Sequence, residues 1–299
     1  MKYNFMDGQR GIHSVERMAG LMGVSRSGYY AWVDRDESAR DQANRELVEA
    51  IRAIQEKVKY RYGSPRVTEA LRRAGMAVGH NRVARLMARN GLQARSKRRF
   101  RCTTKAAESR PVAENLLARN FEVSRTNAVW ASDVTYIATS EGWLYLAVIL
   151  DLCSRRVVGW SMSSRLTTDL VLRAFLMAVL RRNPPKGLMF HSDRGSQYTS
   201  GAFCKALERR RMIQSMSRKG NCWDNAPSEA FFATLKIELM DGKAFAGRRA
   251  AQAAIFEYME VFYNRQRLHS SLGYLTPVEY EEAILRGVSE YHPPRKNAL

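Results

Sequence analysis

The sequence predicts an α/β protein in which a mixed β-sheet is flanked by helices and preceded by a basic helical region. After residue 126 the candidate elements run in the order three strands, helix, strand, helix, strand, helix, which is typical of a sheet covered by helices. In the first hundred residues the apolar side chains instead recur at helical spacing. A length of 299 residues allows about two domains with a substantial buried core.

The helical region is predicted to contain five helices, at residues 15–23, 25–33, 45–60, 64–73 and 80–90. Ser25 and Ser27 are the candidate N-caps of the second helix. Gly75 and Gly79 join the last two helices. Two short helices around a glycine turn outline a helix-turn-helix, which places a helix in the major groove of DNA. Packed helices without a DNA contact give the same pattern, so both interpretations stay open.

Closely spaced β-rich runs predict antiparallel strands at residues 129–138, 143–152 and 156–163. The elements that follow are a helix at 168–182, a strand at 188–191, a helix at 200–210, a strand at 213–216 and a helix at 225–239. Pro184 and Pro185 end the first of these helices. A last helix is predicted at 249–263, ahead of a C-terminal region rich in Arg, His and Tyr.

The chain has 49 Lys and Arg residues against 29 Asp and Glu residues, a formal net charge of +20. Such an excess repels itself unless a polyanion screens it, and nucleic acid releases counterions when basic residues neutralise its phosphates. An anionic membrane surface is the alternative, but the sequence has no apolar run of about 18 residues and no signal-peptide pattern. We therefore expect a cytoplasmic protein that acts on DNA and not on membranes.

Two basic clusters are candidate DNA contacts. Arg98, Arg99 and Arg101 follow the helical region and predict a tether that tracks phosphates, although a solvated linker has the same composition. Arg265 and Arg267 belong to a C-terminal cluster for which DNA contact and solvated surface are equally good interpretations.

Three carboxylates lie at positions that suggest chemistry. Asp133 is mid-strand, where aspartate is depleted and costly to bury. Asp193 directly follows a strand, and ligand-binding groups in open α/β sheets gather beyond the carboxyl ends of strands. Glu229 lies in the first turns of a helix, where it shares one rim with Lys236. The respective alternatives are an exposed edge carboxylate, an ordinary aspartate turn and a surface charge pair.

Three carboxylates gathered around one point repel one another by about 3 kcal/mol per pair at ~5 Å and an effective dielectric constant of ~20. Either their pKa values rise or a cation lies between them. Oxygen ligands without a cysteine or histidine cluster favour Mg²⁺ or Mn²⁺. Two such ions about 4 Å apart activate the attacking oxygen and stabilise the leaving oxygen of an in-line phosphoryl displacement.

The spacing of these residues gives a family resemblance. Asp133 and Asp193 are separated by 59 residues, Asp193 and Glu229 by 35, and Lys236 follows Glu229 by seven positions. This pattern resembles the DDE transposase and retroviral integrase superfamily. The segments WASDVTYI (130–137), HSDRGSQYTS (191–200), GNCWDNAP (220–227) and NRQRLHSSLG (264–273) resemble the bacterial insertion-sequence-three transposases, in particular their second-frame product, OrfB.

The resemblance covers nearly the whole chain. It implies an RNase H-like catalytic core in which Asp133, Asp193 and Glu229 bind two Mg²⁺ or Mn²⁺ ions, and it implies that Lys236 contacts DNA near the reacting phosphate. The implied reaction is cleavage at the terminal inverted repeats of an element, followed by strand transfer into target DNA. The expected domains are a helical DNA-binding region at 1–102, a linker at 103–126, the catalytic core at 127–242 and a helical, basic extension at 243–299.

The resemblance also implies partners. They are DNA, the first-frame product of the element or a fusion with it, and further copies of the chain assembled on DNA, at the nucleoid of a bacterial cytoplasm. Two other functions fit the same sequence: a DNA-binding regulator with a vestigial catalytic domain, and a nuclease for RNA–DNA hybrids.

Smaller predictions concern residues next to the carboxylates. His191 is either structural or part of the metal environment, because alternation along the strand could direct it to the side of Asp193. Asp224 or Asn225 is expected to cap the helix that carries Glu229. Trp223 is expected to pack in the core rather than stack on a base.

Overall fold

The computed structural model describes residues 1–94, 113–218, 222–240, 242 and 244–287, without the side chain of Cys222. The predicted DNA contacts Arg98, Arg99 and Arg101 lie outside the described residues. No helix within the described ranges is long and apolar enough to cross a membrane.

Residues 1–94 form a series of short helices. They are α1 (Lys2–Gly8), α2 (Val15–Met22), α3 (Arg26–Val33), α4 (Ala39–Lys57), α5 (Ser64–Arg73) and α6 (His80–Arg89). The predicted Ser25 cap is confirmed, because its hydroxyl accepts the Gly28 N–H at 3.0 Å. Helix α4 begins at Ala39 rather than at residue 45, since Ser38 caps it and its first turns are too polar to show apolar periodicity. Helix α1 was not predicted.

A five-stranded mixed sheet follows, as predicted. Its strands are β1 (Val129–Thr139), β2 (Gly142–Asp151), β3 (Val157–Ser163), β4 (Met189–Ser192) and β5 (Ile213–Met216), in the spatial order β3-β2-β1-β4-β5. The first three strands are antiparallel neighbours, whereas β4 pairs parallel with both β1 and β5. Strand β1 is therefore central, and its carboxyl end points the same way as that of β4.

One face of the sheet is covered by α7 (Thr168–Arg182) and α8 (Gly201–Arg209). The cluster between them buries Trp130, Phe175 and Phe190. Helix α7 approaches β3 closely at Gly159, where a Cβ would lie 2.3 Å from the carbonyl oxygen of Ala174. Glycine is therefore required at this crossing for the helix to reach the sheet.

The other face carries α9 (Ala226–Leu235) and α10 (Arg248–Phe256). Helix α11 (Pro277–Leu285) contacts the turn between β2 and β3, where the Ser154 hydroxyl donates to Glu281 at 2.8 Å. The π-helical segments Lys236–Met240 and Glu257–Tyr263 follow α9 and α10 directly. The predicted helix at 225–239 is thus correct in position, but its last turn is π-helical. Helix α11 was not predicted, although Thr276 and Glu279 form a capping box at its start.

The helical region and this face of the sheet share one hydrophobic cluster. Ile51 of α4 belongs to the same cluster as Leu146 of β2 and Phe231 of α9. Tyr62 adds a polar contact, since its hydroxyl donates to the Gln266 carbonyl at 2.6 Å. The predicted domain boundaries remain a prediction, but this cluster joins the helical region to the layer of helices that contains Glu229.

Candidate active site

Asp133 lies in the middle of β1, next to the point where the parallel strand β4 ends and Asp193 follows. The pairing of β1 with β4 ends at Ser132 and Ser192, which are register partners. Asp133 directly follows Ser132, and Asp193 directly follows Ser192. The sheet register therefore brings together two carboxylates that are separated by 59 residues of chain.

Backbone amides hold one oxygen of each aspartate. The Val134 N–H donates to Asp133 Oδ1 at 2.8 Å, and the Gly195 N–H donates to Asp193 Oδ1 at 3.0 Å. A Cβ on Gly195 would lie 3.0 Å from Asp193 Oδ1, so glycine lets this amide approach the carboxylate. Within the described ranges, Oδ2 of each aspartate accepts no hydrogen bond.

Glu229 lies in the first turn of α9 and is exposed. The start of this helix is attached to β1, because the Asn225 side-chain amide donates to the Ser132 carbonyl at 3.4 Å. Ser132 directly precedes Asp133, so this bond brings the first turn of α9 to the two aspartates. Asn225 occupies the predicted N-cap position, but its side chain makes no capping hydrogen bond.

The charges of four side chains interact around Asp133. Its pKa is raised to about 8, mainly by burial and by the charge of Asp193, with a smaller contribution from Glu229. Burial also raises the pKa of Asp193 and the pKa of Glu229. Burial lowers the pKa of the Lys236 amine, whose positive charge stabilises ionised Asp133. The three predicted acids and the predicted lysine therefore belong to one electrostatic site.

Among the described side chains, those gathered at this site offer carboxylate oxygens as metal ligands. In the part of the chain that is described, no three His, Cys, Asp or Glu side chains are arranged closely enough to hold a metal ion. The repulsion that raises the pKa of Asp133 is nevertheless what a bound cation would remove. Asp193 and Glu229 reach the protein surface, so a cation has access to their carboxylates from solvent. The residues fit a cation that prefers oxygen ligands, such as Mg²⁺ or Mn²⁺.

Comparison with known proteins decides the family. Residues 123–222 and residues 229–285 each match a family model described as an integrase core domain, and residues 42–100 match an HTH-like domain. Transposase InsF for insertion sequence IS3A of Escherichia coli (strain K12) is 42% identical over 287 residues, which are 95% of this chain and 100% of that protein. The chain belongs to the IS3 family of transposases.

A second relative of the transposase is the insertion element IS600 uncharacterized 31 kDa protein of Shigella sonnei, 44% identical over 265 residues, 89% of this chain and 97% of the relative. Among solved structures, the HTLV-2 integrase catalytic core domain in complex with magnesium aligns with a TM-score of 0.39 and 20% identity, over 52% of this chain and 96% of that one.

Family membership confirms several predictions. The integrase core match and the mixed five-stranded sheet confirm the predicted RNase H-like fold class, with a helix-turn-helix-like region in front of it. The predicted enzyme class is also confirmed: the transposase is a DDE polynucleotidyl transferase that acts in DNA transposition. The HTH-like domain makes it a DNA-binding protein.

His191 is structural in the transposase. It is fully buried, with Nδ1 2.9 Å from the Ser215 hydroxyl and Nε2 3.2 Å from the Ser217 hydroxyl. Burial lowers the pKa of the imidazole. Since both ring nitrogens have protein partners, the structure supports the first of the two predicted roles and not a place in the metal environment.

Asp224 does not cap α9, so this alternative of the capping prediction is wrong. Its buried carboxylate accepts hydrogen bonds from Arg218, Arg119 and Asn115 at 2.9 Å. The bonds from Arg218 hold the pKa of Asp224 well below its usual range. Asp224 therefore anchors the chain just before α9 to two neighbouring segments.

The prediction that Trp223 packs in the core is also wrong. Trp223 is 68% exposed, whereas Asp224 and Asn225 of the same 3₁₀ turn (Cys222–Asn225) are buried. The turn directs its polar side chains toward partners inside the protein, and the indole points outward as a result. The sequence shows the apolar character of Trp223 but not the partners of its neighbours.

The two predicted C-terminal DNA contacts have different environments. Arg265 is exposed, and its contact with DNA stays a prediction. Arg267 is buried, and its guanidinium donates three hydrogen bonds of 2.8–3.1 Å to Glu238. The predicted DNA contact of Arg267 is therefore wrong, because this side chain is occupied inside the protein. Glu238 lies 29 residues away, so the local basic cluster does not reveal the pair.

Lys236 begins the π-helical segment after α9, and its ammonium lies 4.9 Å from the centre of the Tyr136 ring. This distance is within the range of a cation–π interaction. Tyr136 follows Asp133 by three residues in β1. The sequence does not distinguish Tyr136 from the other aromatic residues in strands, because its contact with Lys236 depends on the fold.

Proposed function

We propose that Asp133, Asp193 and Glu229 hold two Mg²⁺ or Mn²⁺ ions, and that the transposase uses this site to cut the ends of its element and join them to target DNA. The proposal rests on the environment of Asp133. Burial and the negative charges of Asp193 and Glu229 together raise the pKa of Asp133 to about 8. Family membership supports the reaction class.

A pair of divalent ions in such a site activates the attacking oxygen and stabilises the leaving oxygen of a phosphodiester. The protein supplies the ligands and their orientation. Asp133 and Asp193 each use Oδ1 for a backbone amide, so Oδ2 of each would be available to hold a cation. Because protonated carboxyls bind cations poorly, Asp133 must release its proton when the site is loaded.

Lys236 has a separate task in this proposal. Its ammonium is close enough to Asp133 to lower the pKa of that carboxyl, so it lies at the position where a phosphate would meet the carboxylates. A lysine there neutralises phosphate oxygens and positions the reacting group. A histidine base is not needed, and the buried His191 is not available as one.

We further propose that the element's terminal inverted repeats are recognised by the helical region, predicted as residues 1–102 and including the HTH-like match at 42–100. In this arrangement Arg265 and the cluster of Arg98, Arg99 and Arg101 contact phosphates along the path to the active site. The core at 127–242 performs the chemistry, with the linker at 103–126 before it and the extension at 243–299 after it.

The proposed assembly contains several proteins. We propose further copies of the chain on the DNA, with one active site for each of the two element ends. We also propose the first-frame product of the element, or a fusion with it, as a partner, and the nucleoid of a bacterial cytoplasm as the location.

Replacement of a single metal ligand tests the proposal. Asp193→Asn should reduce Mg²⁺-dependent cleavage of duplex DNA carrying the element's terminal repeats by at least about 100-fold. The matched control is Asp169→Asn, which changes an exposed carboxylate of α7 that is paired with Arg173. Wild-type cleavage by Asp193→Asn would reject the site.

Two further outcomes would overturn the proposed reaction. DNA binding by the wild-type chain and its first-frame partner, without nicking under any divalent metal, would favour a regulator. Cleavage of RNA–DNA hybrids in preference to duplex DNA would favour a nuclease.

A further inference from the structure

Two large aromatic side chains are exposed at the end of the β1–β2 hairpin. Tyr136 is 47% exposed and Trp143 is 50% exposed. Trp143 is the register partner of Ala138, so Tyr136 and Trp143 are diagonal neighbours on one face of the sheet. Their ring centres are 4.9 Å apart and the rings are inclined at 75°. In this edge-to-face arrangement each ring keeps part of its surface open to solvent.

The aromatic pair adjoins the active site through Lys236. Among the described residues, β4 pairs with β1 only as far as Ser132, so the edge of β1 is open from Asp133 to Tyr136. The Lys236 ammonium lies over the Tyr136 ring at 4.9 Å, and its charge also acts on Asp133. The lysine therefore spans the open edge from the carboxylates on one side to the aromatic pair on the other.

A second cation borders the pair. The Arg248 side chain donates through Nε to the Trp143 carbonyl at 3.3 Å. Its Nη2 lies 3.3 Å from the position that a Cβ on Gly142 would take, so the guanidinium covers the hairpin turn. Glu141 accepts the backbone N–H of Arg248 at 3.3 Å. Aromatic rings between basic side chains, beside a phosphoryl-transfer site, are the combination that binds unpaired nucleic acid.

We propose that Tyr136 and Trp143 form a stacking platform for an unpaired base of the DNA strand held in the active site. This inference rests on the proposed function. At about 3.3 Å per strand residue, the pair lies roughly 10–16 Å along β1 from Asp133. The stacked base therefore lies a few nucleotides from the scissile phosphate.

The geometry favours a base over a paired duplex. In a duplex the faces of each base are covered by the neighbouring base pairs, so an exposed ring has no surface to stack on. An unpaired base presents a free face, and its contact with an aromatic side chain is tolerant of sequence. The platform therefore implies that the strands separate close to the cleavage site. Lys236 and Arg248 would neutralise the phosphates on either side of the stacked base.

The test compares two DNA ligands of equal length and strand charge. One is a fully paired duplex, and the other has five mismatched positions next to the cleavage site. Dissociation constants are measured by fluorescence anisotropy with EDTA present, so that no cleavage occurs. The variants are Tyr136→Ala and Trp143→Ala, with Tyr136→Phe and Trp143→Phe as conservative replacements that keep an aromatic ring.

We expect the wild-type protein to bind the mismatched DNA more tightly than the paired duplex. Either alanine variant should bind the mismatched DNA roughly tenfold more weakly than wild type and bind the paired duplex as wild type does. The phenylalanine variants should retain most of the preference. The dependence of affinity on salt should not change, since no phosphate contact is removed. The matched control is Phe256→Ala, because Phe256 is 50% exposed and forms an edge-to-face pair with Trp160 on β3, at the opposite edge of the sheet.

Equal affinity of the wild type for the two DNA ligands would overturn the platform, as would alanine variants that keep the preference. A loss of affinity for both ligands together, or an equal loss in Phe256→Ala, would show that the change acts through folding and would also overturn it. Because binding is measured without divalent ions, failure of the platform is distinguishable from failure of the proposed cleavage reaction, which the Asp193→Asn experiment tests.

Discussion

Arg267 binds Glu238 inside the protein, with three contacts of 2.8–3.1 Å between the guanidinium and the carboxylate. The Tyr258 hydroxyl donates to the same carboxylate at 2.8 Å, and Arg66 of α5 lies 3.6 Å from it. Glu238 belongs to the π-helical segment that begins with Lys236. The ion pair therefore fixes the segment that carries the active-site lysine to both the helical region and the C-terminal part of the chain.

Removal of one partner of this pair should destabilise the fold. Arg267→Met leaves the buried Glu238 carboxylate without its main counter-charge, so the free energy of unfolding should fall by about 3–5 kcal/mol. Urea unfolding followed by circular dichroism measures the change. Arg265→Met is the matched control, because Arg265 is exposed and should change stability by less than about 0.5 kcal/mol. Equal stability of the two variants would contradict the buried pair.

Asp133 should make the metal-free protein less stable as pH rises. Its pKa is about 8 in the folded chain, against about 3.9 in an unfolded chain, so the folded state binds more protons between these values. Stability falls with pH wherever the folded state binds more protons. Asp133→Asn removes this effect and should raise the melting temperature in EDTA more at pH 8 than at pH 5.

The same experiment needs a control for charge. Asp169→Asn removes an exposed carboxylate of α7, and its melting temperature relative to wild type should not vary in this way between pH 5 and pH 8. Added Mg²⁺ should stabilise the wild type but not Asp133→Asn, because the cation takes the place of the proton. An Asp133→Asn advantage that shrinks toward pH 8 in EDTA would contradict the raised pKa.

The strands and the carboxylates were predictable because they leave local signals. Apolar runs between turns place β1, β2 and β3 within about two residues of their observed bounds, and α7 (Thr168–Arg182) begins and ends as predicted. The parallel pairing of β1 and β4 then brings Asp133 next to Asp193. A carboxylate in an apolar strand is conspicuous in the sequence because few structural roles explain it.

Other features depend on contacts between distant segments. The burial of Arg267 depends on Glu238, 29 residues away, and the exposure of Trp223 depends on the partners of Asp224. The contacts of Tyr62 with the Phe262 ring and the Gln266 carbonyl likewise join distant segments of the chain. Amphipathic periodicity shows that α4 has an apolar face but not what covers it.

Lys236 should contribute one phosphate contact. Lys236→Gln removes that charge, so the slope of log affinity against log salt concentration should decrease in magnitude by about 1, with a similar loss of affinity for all DNA sequences. Anisotropy titrations at several salt concentrations measure the slope. Lys186→Gln is the control, because Lys186 is exposed just before the amino end of β4, at the opposite end of the strand from Asp193. An unchanged slope in Lys236→Gln would exclude the contact.

Asp224 should act as a positioning residue for Glu229. Its buried carboxylate attaches the chain just before α9 to Arg218 and Arg119. Asp224→Ala releases this attachment, so the first turn of α9 is held less firmly next to Asp133. A small displacement of a catalytic group lowers the rate steeply, and we expect the cleavage rate constant to fall roughly 10- to 100-fold with little change in DNA affinity. Single-turnover cleavage and anisotropy measure the two quantities separately.

The pH dependence distinguishes this role of Asp224 from that of the metal-binding acids. The pKa of Asp224 is held well below its usual range by Arg218, so its stabilising contribution is present above the unfolded-state value of about 3.9 and is lost only as pH falls below it. The stability difference between wild type and Asp224→Ala should therefore stay constant from pH 5 to pH 9, whereas the difference for Asp133→Asn changes over this range. A difference for Asp224→Ala that varies with pH in the same way would mean that the Asp224 carboxylate titrates with the active site and is not fixed as a permanent anion by its two arginines.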